Sequence, residues 1–227
     1  MVDILFVHPN ASKKIYQGLA KSSAAIEPPI WAGMLANSIR QHGYKSAILD
    51  AEVELLDYIT AAKTISEISP RIVCFVVYGQ QPSASSQNME GAVATANELK
   101  KLSPESFIIF VGGHVSALPK ETLKLETSID AVCQNEGVYA LRTLCESERL
   151  DSNDLSKIKG ICYRDSDGHI IVNRPSPIVA KKDLGVILPG VAWDLLPPFD
   201  QYRTAGWHSW SNDAVKTTFA ALYTSLG

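Results

Sequence analysis

Apolar runs recur along the amino-terminal half of the chain, and each one ends in a polar or glycine-rich break. Val2-Asp3-Ile4-Leu5-Phe6-Val7 leads into His8-Pro9-Asn10, and Ser46 to Leu49 leads into Asp50. Ile72 to Val77 leads into Tyr78-Gly79-Gln80-Gln81-Pro82-Ser83, and Phe107 to Phe110 into Val111-Gly112-Gly113-His114-Val115. Ile129 to Cys133 leads into Gln134-Asn135-Glu136-Gly137. Near-continuous apolar runs of this length predict strands covered on both faces, as in a parallel sheet. The gaps carry helical patterns. Ile30 to His42 places Trp31, Met34, Leu35 and Ile39 on one face and stops at Gly43. Glu52 to Ile68 and Ser85 to Leu102 fill the next two gaps. Strands alternating with helices predict an α/β fold with a right-handed, doubly wound parallel sheet.

The texture changes past residue 150. Gly160 to Arg164 and His169 to Asn173 flank Asp165-Ser166-Asp167-Gly168, a pattern that predicts a β-hairpin with an Asp-Gly turn. Pro175, Pro177, Pro189, Pro197 and Pro198 then exclude a long helix or a central strand. Trp193 is expected to anchor this extended segment by burial. Phe219 to Gly227 reads as a further strand ending in glycine. The expected organisation is a domain over 1–150, a hairpin and proline-rich extension over 151–200, and a linker over 201–227.

In such a sheet the loops after the strands share one edge, and ligands bind there. These loops are rich in Gly, Pro, Asn, Gln and Ser and poor in charge, which suits a large, mostly neutral ligand bonded through amides and hydroxyls. Gly112-Gly113 is the most informative pair. A strand that ends in two glycines ends where something lies against bare backbone, although a simple tight turn would also explain it. The first loop, His8-Pro9-Asn10, is neither a dinucleotide-binding glycine fingerprint nor a phosphate-binding P-loop.

A formal net charge of −3, with basic residues only in short pairs such as Lys13-Lys14, argues against nucleic acid. No apolar run reaches the roughly 18 residues of a membrane helix, and the amino terminus enters a strand directly rather than a signal peptide. Cys74, Cys133, Cys145 and Cys162 lack metal spacing and read as small buried thiols. A reducing cytoplasm fits them.

Several separated segments, in order, resemble one family, the cobalamin-binding radical SAM enzymes. Glu27-Pro28-Pro29-Ile30-Trp31-Ala32-Gly33-Met34-Leu35-Ala36 resembles that family's first helix start, and Ile48-Leu49-Asp50-Ala51 resembles its second strand end. Gly112-Gly113-His114, with Ala117-Leu118-Pro119, resembles its glycine loop. Ile158 to Arg164, Ala192 to Pro197 and Tyr223 to Gly227 resemble its hairpin, its linker and the strand that carries its first cluster cysteine. The family's CxxxCxxC triplet occurs nowhere in this sequence, and its usual GEGE is Asn135-Glu136-Gly137-Val138. The iron–sulfur cluster and the SAM barrel are therefore expected outside this chain.

The resemblance implies a Rossmann-like cobalamin-binding domain, with the parent enzyme a methyltransferase. A stand-alone cobalamin carrier and a domain of a radical SAM cyclase are the alternatives. It implies that cobalamin lies along Pro9, Asn10, Tyr78, Gly79, Gln80, Gln81, Ser83, Gly112, Gly113, His114, Val115, Asn135, Glu136 and Gly137, with no catalytic residue and no metal-ligating side chain in this chain. The metal-binding DxHxxG motif of cobalamin mutases is missing. His8 is followed by Pro9 and has no acidic neighbour in sequence, so it is expected to pack structurally. His114 is expected to hydrogen-bond in its loop, and the Tyr78–Gln81 loop to lie under the corrin. Ser83, Ser85 and Ser86 fit two roles, capping the next helix or bonding the cofactor's tail. Glu136 fits both a cofactor contact and a solvated charge. The resemblance implies as partners cobalamin and a radical SAM barrel in cis that would hold SAM and a 4Fe-4S cluster, with no nucleic acid and no membrane.

Overall fold

The computed structural model describes residues 2–11, 25–79, 82–204 and 218–221. Its centre is a seven-stranded sheet in the order β2-β1-β3-β4-β5-β6-β7. The strands are β1 (Ile4–His8), β2 (Ser46–Asp50), β3 (Ile72–Val76), β4 (Phe107–Val111), β5 (Ala131–Cys133), β6 (Ile161–Arg164) and β7 (Ile170–Val172). The first five are parallel and the last two pairings are antiparallel. This is the α/β, Rossmann-like sheet that the apolar runs predict. The 160–173 hairpin is also as expected, turned by Gly168 at a φ of 83°. The sequence pattern does not reveal that β6 pairs with β5 and so continues the main sheet.

Helices cover both faces because every central strand is apolar on both sides. Helix α1 (Ile30–Gln41) begins directly after Pro28-Pro29 and ends before Gly43, whose φ is 85°. It packs with α6 (Val138–Glu146) over one face, on Ile4, Phe6, Cys74, Val76 and Ile109. Helices α2 (Tyr58–Ile68) and α3 (Pro82–Leu102) cover the other face, on Leu5, Val7, Phe75 and Phe110. Asp57 caps α2 by accepting from the Thr60 N–H at 2.8 Å. This helix starts later than its sequence pattern suggests, since residues 51–55 form a turn instead. Short helices α4 (Gly113–Ala117) and α5 (Pro119–Leu125) fill the β4–β5 connection, and α7 (Ser152–Leu155) precedes β6.

After β7 the chain runs back over α1 as a strap containing short 3-10 turns and α8 (Leu184–Ile187). The Ala192 N–H donates to the Gly33 carbonyl at 3.1 Å, and Arg40 grips Asp194 through both guanidinium nitrogens at 2.6 and 3.1 Å. Gly33 is required at this crossing, because a Cβ there would lie 2.4 Å from Val191 Cγ1. Trp193 does not anchor the strap: it is 42% exposed, edge-on to Phe199. Small Ala192 takes the buried position instead, where its N–H bonds α1. Tyr202 is the strap's fully buried aromatic. Of the expected last strand, Phe219–Ala221 lie in none, and residues 222–227, like Trp207, His208 and Trp210, fall outside the described residues.

Candidate functional site

The strand order reverses between β1 and β3, both of which begin crossovers to opposite sides of the sheet. A crevice at the carboxyl ends of such strands is the general ligand position of open α/β sheets. A cavity of about 460 Å³ lies there, lined by His8, Pro28, Trp31, Tyr78, Gly79 and Asn88 among others. The Trp31 and Tyr78 rings stack at 4.3 Å with a 17° interplanar angle and form an apolar wall.

The loops after β3, β4 and β5 are tied into one rim. The Tyr78 hydroxyl donates to the Asn135 carbonyl at 3.1 Å, and the Asn135 N–H donates to Ser116 Oγ at 2.8 Å. Ser85 Oγ donates to the Val77 carbonyl and accepts from the His114 N–H at 2.9 Å. Ser86 Oγ and His114 Nδ1 lie 2.9 Å apart. Ser85 is thus spent on holding two loops together. His114 hydrogen-bonds within the rim, where the sequence reading put it. Asn10 fixes the first loop by donating to the Leu56 carbonyl at 3.0 Å, and Pro9 is buried beside it.

The glycine pair divides into two roles. Gly112 is buried, and a Cβ on it would lie 2.5 Å from the Val77 carbonyl oxygen. Its bareness is demanded by the neighbouring strand end. Gly113 is exposed, and the nearest atom to a Cβ there is Ser85 Oγ at 3.6 Å. A Cβ on Gly113 would make only ordinary contact with Ser85, on the solvent side of the loop. Val115 is fully buried in the core, so its side chain does not reach the rim. Gly137 has a φ of 73° and starts α6, while Asn135 and Glu136 stay accessible. Gly79 packs on Ala84, with 2.2 Å between a built Cβ and that methyl. Gln80 and Gln81 lie outside the described residues, as does the Ser83 side chain.

The sequence reading missed the charge around His8. Asp50 stands beside it in the next strand, in register, and His8 Nε2 lies 3.3 Å from Glu52 Oε2. Burial pulls the His8 pKa down, but the Asp50, Glu52 and Glu27 carboxylates push it up, and the net direction is up. Asp50 is itself fully buried rather than part of an exposed rim. Burial raises its pKa against the opposing pull of His8, the Tyr202 hydroxyl and the Val53 N–H. The signal was available only through topology: Asp50 and Glu52 are remote in sequence from His8, but Asp50 ends and Glu52 follows the strand that pairs with β1.

The four cysteines are buried and free. Burial pushes their thiols up, Cys145 to about 12 and Cys162 to about 11, so they are inert packing groups. Among the described residues, Asp165, Asp167 and His169 are the one group able to gather a metal, but Asp165 already accepts from two turn N–H groups there. No helix of the described residues is long and apolar enough to cross a membrane.

A cobalamin fits what these residues offer. The rim is rich in hydrogen-bonding groups, with Glu136 as an accessible charge, and Gly113 leaves the backbone exposed.

Comparison with known proteins agrees. An uncharacterized methyltransferase of Pyrococcus horikoshii, PH0819, is 28% identical over 180 residues, covering 79% of this chain and 36% of the relative. The cobalamin-dependent S-adenosylmethionine radical enzyme OxsB, solved with aqua-cobalamin and S-adenosylmethionine, superposes with a TM-score of 0.57 at 17% identity. It covers 86% of this chain and 24% of OxsB. The radical S-adenosylmethionine methyltransferase TsrM from Kitasatospora setae gives 0.55 at 18%, covering 76% of this chain and 30% of TsrM. The chain thus spans well under half the length of these relatives, and the two solved structures share its fold. Residues 16–145 match the B12 binding domain, and the chain belongs to that family.

Proposed function

We propose that this chain binds cobalamin across the carboxyl edge of its sheet, with the nucleotide base off the cobalt, as one domain of a radical SAM methyltransferase. The observation that carries the reading is the hydrogen-bonded rim beside the β1–β3 cavity, in a chain of the B12 binding domain family. The cavity is of ordinary small-molecule size, so a corrinoid rests on the rim and inserts only part of itself. Cobalamin, when bound, supplies a cobalt centre that can carry a methyl group. The chain's own residues do the holding. Gly113 admits the ligand to the backbone, the exposed Asn135 and His114 loops meet its polar edge, and the Trp31–Tyr78 wall excludes water from one side.

The absence of histidine ligation is supported by the state of His8. Its Nε2 faces Glu52, and the surrounding carboxylates favour the protonated ring, which has no lone pair for a metal. The same contact favours a second reading, because ligating imidazoles carry a carboxylate on their other nitrogen. Electron paramagnetic resonance of the cob(II)alamin-loaded protein separates the two. We expect no nitrogen superhyperfine splitting from a protein histidine. A triplet splitting lost in His8→Ala would overturn the base-off, histidine-free assignment. The lengths of the relatives support a radical SAM barrel in cis, since this sequence lacks the cluster triplet.

A further inference from the structure

We propose that Tyr202, on the carboxy-terminal strap, is a positioning residue that fixes Asp50 and through it His8, so that docking of the strap and the state of the cavity wall are coupled. The path is continuous. His8 lines the cavity, and Asp50 is its register partner on β2. The Ala51 N–H donates to the His8 carbonyl at 3.0 Å, which locks the two strand ends together. Asp50 Oδ1 accepts from the Glu52 and Val53 N–H groups at 3.2 and 3.3 Å, and Oδ2 accepts from the Tyr202 hydroxyl at 2.9 Å.

Packing alone does not explain a tyrosine here. Tyr202 is fully buried against Ile26 and Val53, a setting that a phenylalanine would fill. The hydroxyl adds a bond to a buried carboxylate, and leaving such an acceptor unpaired is costly. The strap is aimed by its own contacts. Arg203 and Ile26 exchange paired backbone hydrogen bonds at 2.9 Å, immediately after Tyr202. Upstream, Ala192 bonds α1 and Asp194 pairs with Arg40. The charged groups facing the pair are Glu52 and Glu54 from the loop after β2 and Glu27 from the segment before α1. The Tyr202 hydroxyl thereby links the strap to His8 in the cavity wall by way of Asp50.

This inference rests on the cavity being the cofactor site, but its test needs no cofactor. The imidazole ¹⁵N shifts of the full apo chain are followed against pH in the parent, Tyr202→Phe, Asp50→Asn and the double variant. Removing the hydroxyl leaves the Asp50 charge less compensated, so His8 should hold its proton more tightly. The expected shift is upward by about one pH unit, a tenfold change in proton affinity. In the Asp50→Asn background Tyr202→Phe should add nothing. An unmoved His8 titration in a folded Tyr202→Phe protein, or equal shifts in both backgrounds, would overturn the proposal. Should Tyr202→Phe not fold, Arg203→Pro removes the N–H bond to the Ile26 carbonyl beside Tyr202, and an unmoved His8 there would overturn it equally. Failure to bind hydroxocobalamin sinks the cofactor reading and leaves this coupling standing.

Discussion

Gly112→Ala and Gly113→Ala should change stability in opposite directions, although the two residues are adjacent and chemically alike. A Cβ on Gly112 would sit 2.5 Å from the Val77 carbonyl oxygen and 2.7 Å from its carbon. Both are backbone atoms of the residue that follows β3, and the Val77 N–H is already bonded to the Val111 carbonyl at 2.8 Å. Relief requires the ends of β3 and β4 to separate, which loses that bond and the Ser85 bridge. Overpacking of this kind costs about 3 kcal/mol. Gly113 is in the first turn of α4 with nothing closer than 3.6 Å to a new methyl. Alanine there gains about 0.5 kcal/mol by restricting the unfolded chain. Against a total stability of roughly 5–15 kcal/mol, the resulting gap is readily measured by guanidinium unfolding followed by circular dichroism. Equal midpoints for Gly112→Ala and the parent would refute the close-approach argument. Gly113→Val, in contrast, should leave unfolding cooperative while removing cobalamin binding, since it crowds the ligand's side of the loop.

Two further outcomes are expected. Stability should fall as pH rises from 6.5 through the raised folded pKa of His8, because the native state binds the extra proton in that window. Asp50, also raised, acts in the same direction from 3.8 upward, and His8→Gln should flatten the upper part of the profile in pH-dependent thermal unfolding. The chain incubated with iron, sulfide, SAM and a strong reductant should form no 5′-deoxyadenosine above blank, because it lacks the cysteine triplet. Product with this chain as sole protein would move the cleavage chemistry into it.

The strands and the loops that follow them were legible because a doubly covered sheet leaves an unambiguous apolar signature. Ile72 to Val77 and Phe107 to Val111 needed no tertiary information. The β5–β6 pairing was not legible, since an antiparallel edge strand added to a parallel sheet looks in sequence like any hairpin strand. The environment of His8 was hidden for a related reason. Its carboxylates come from the neighbouring strand end, and local sequence shows only Pro9. Trp193 misled because size suggests an anchor, whereas small Ala192 takes the buried position where the strap crosses α1 at the bare Gly33. The glycine pair was marked as a place of close approach, and at Gly112 the approaching group is the protein's own backbone.

The central claim is that this edge of the sheet holds cobalamin, and reconstitution with hydroxocobalamin followed by desalting tests it most directly. The expected result is a coloured protein that retains corrinoid in proportion to chain, with a visible spectrum shifted from the free base-on cofactor and lost in Gly113→Val. A colourless protein after desalting, from a chain that unfolds cooperatively, would contradict it.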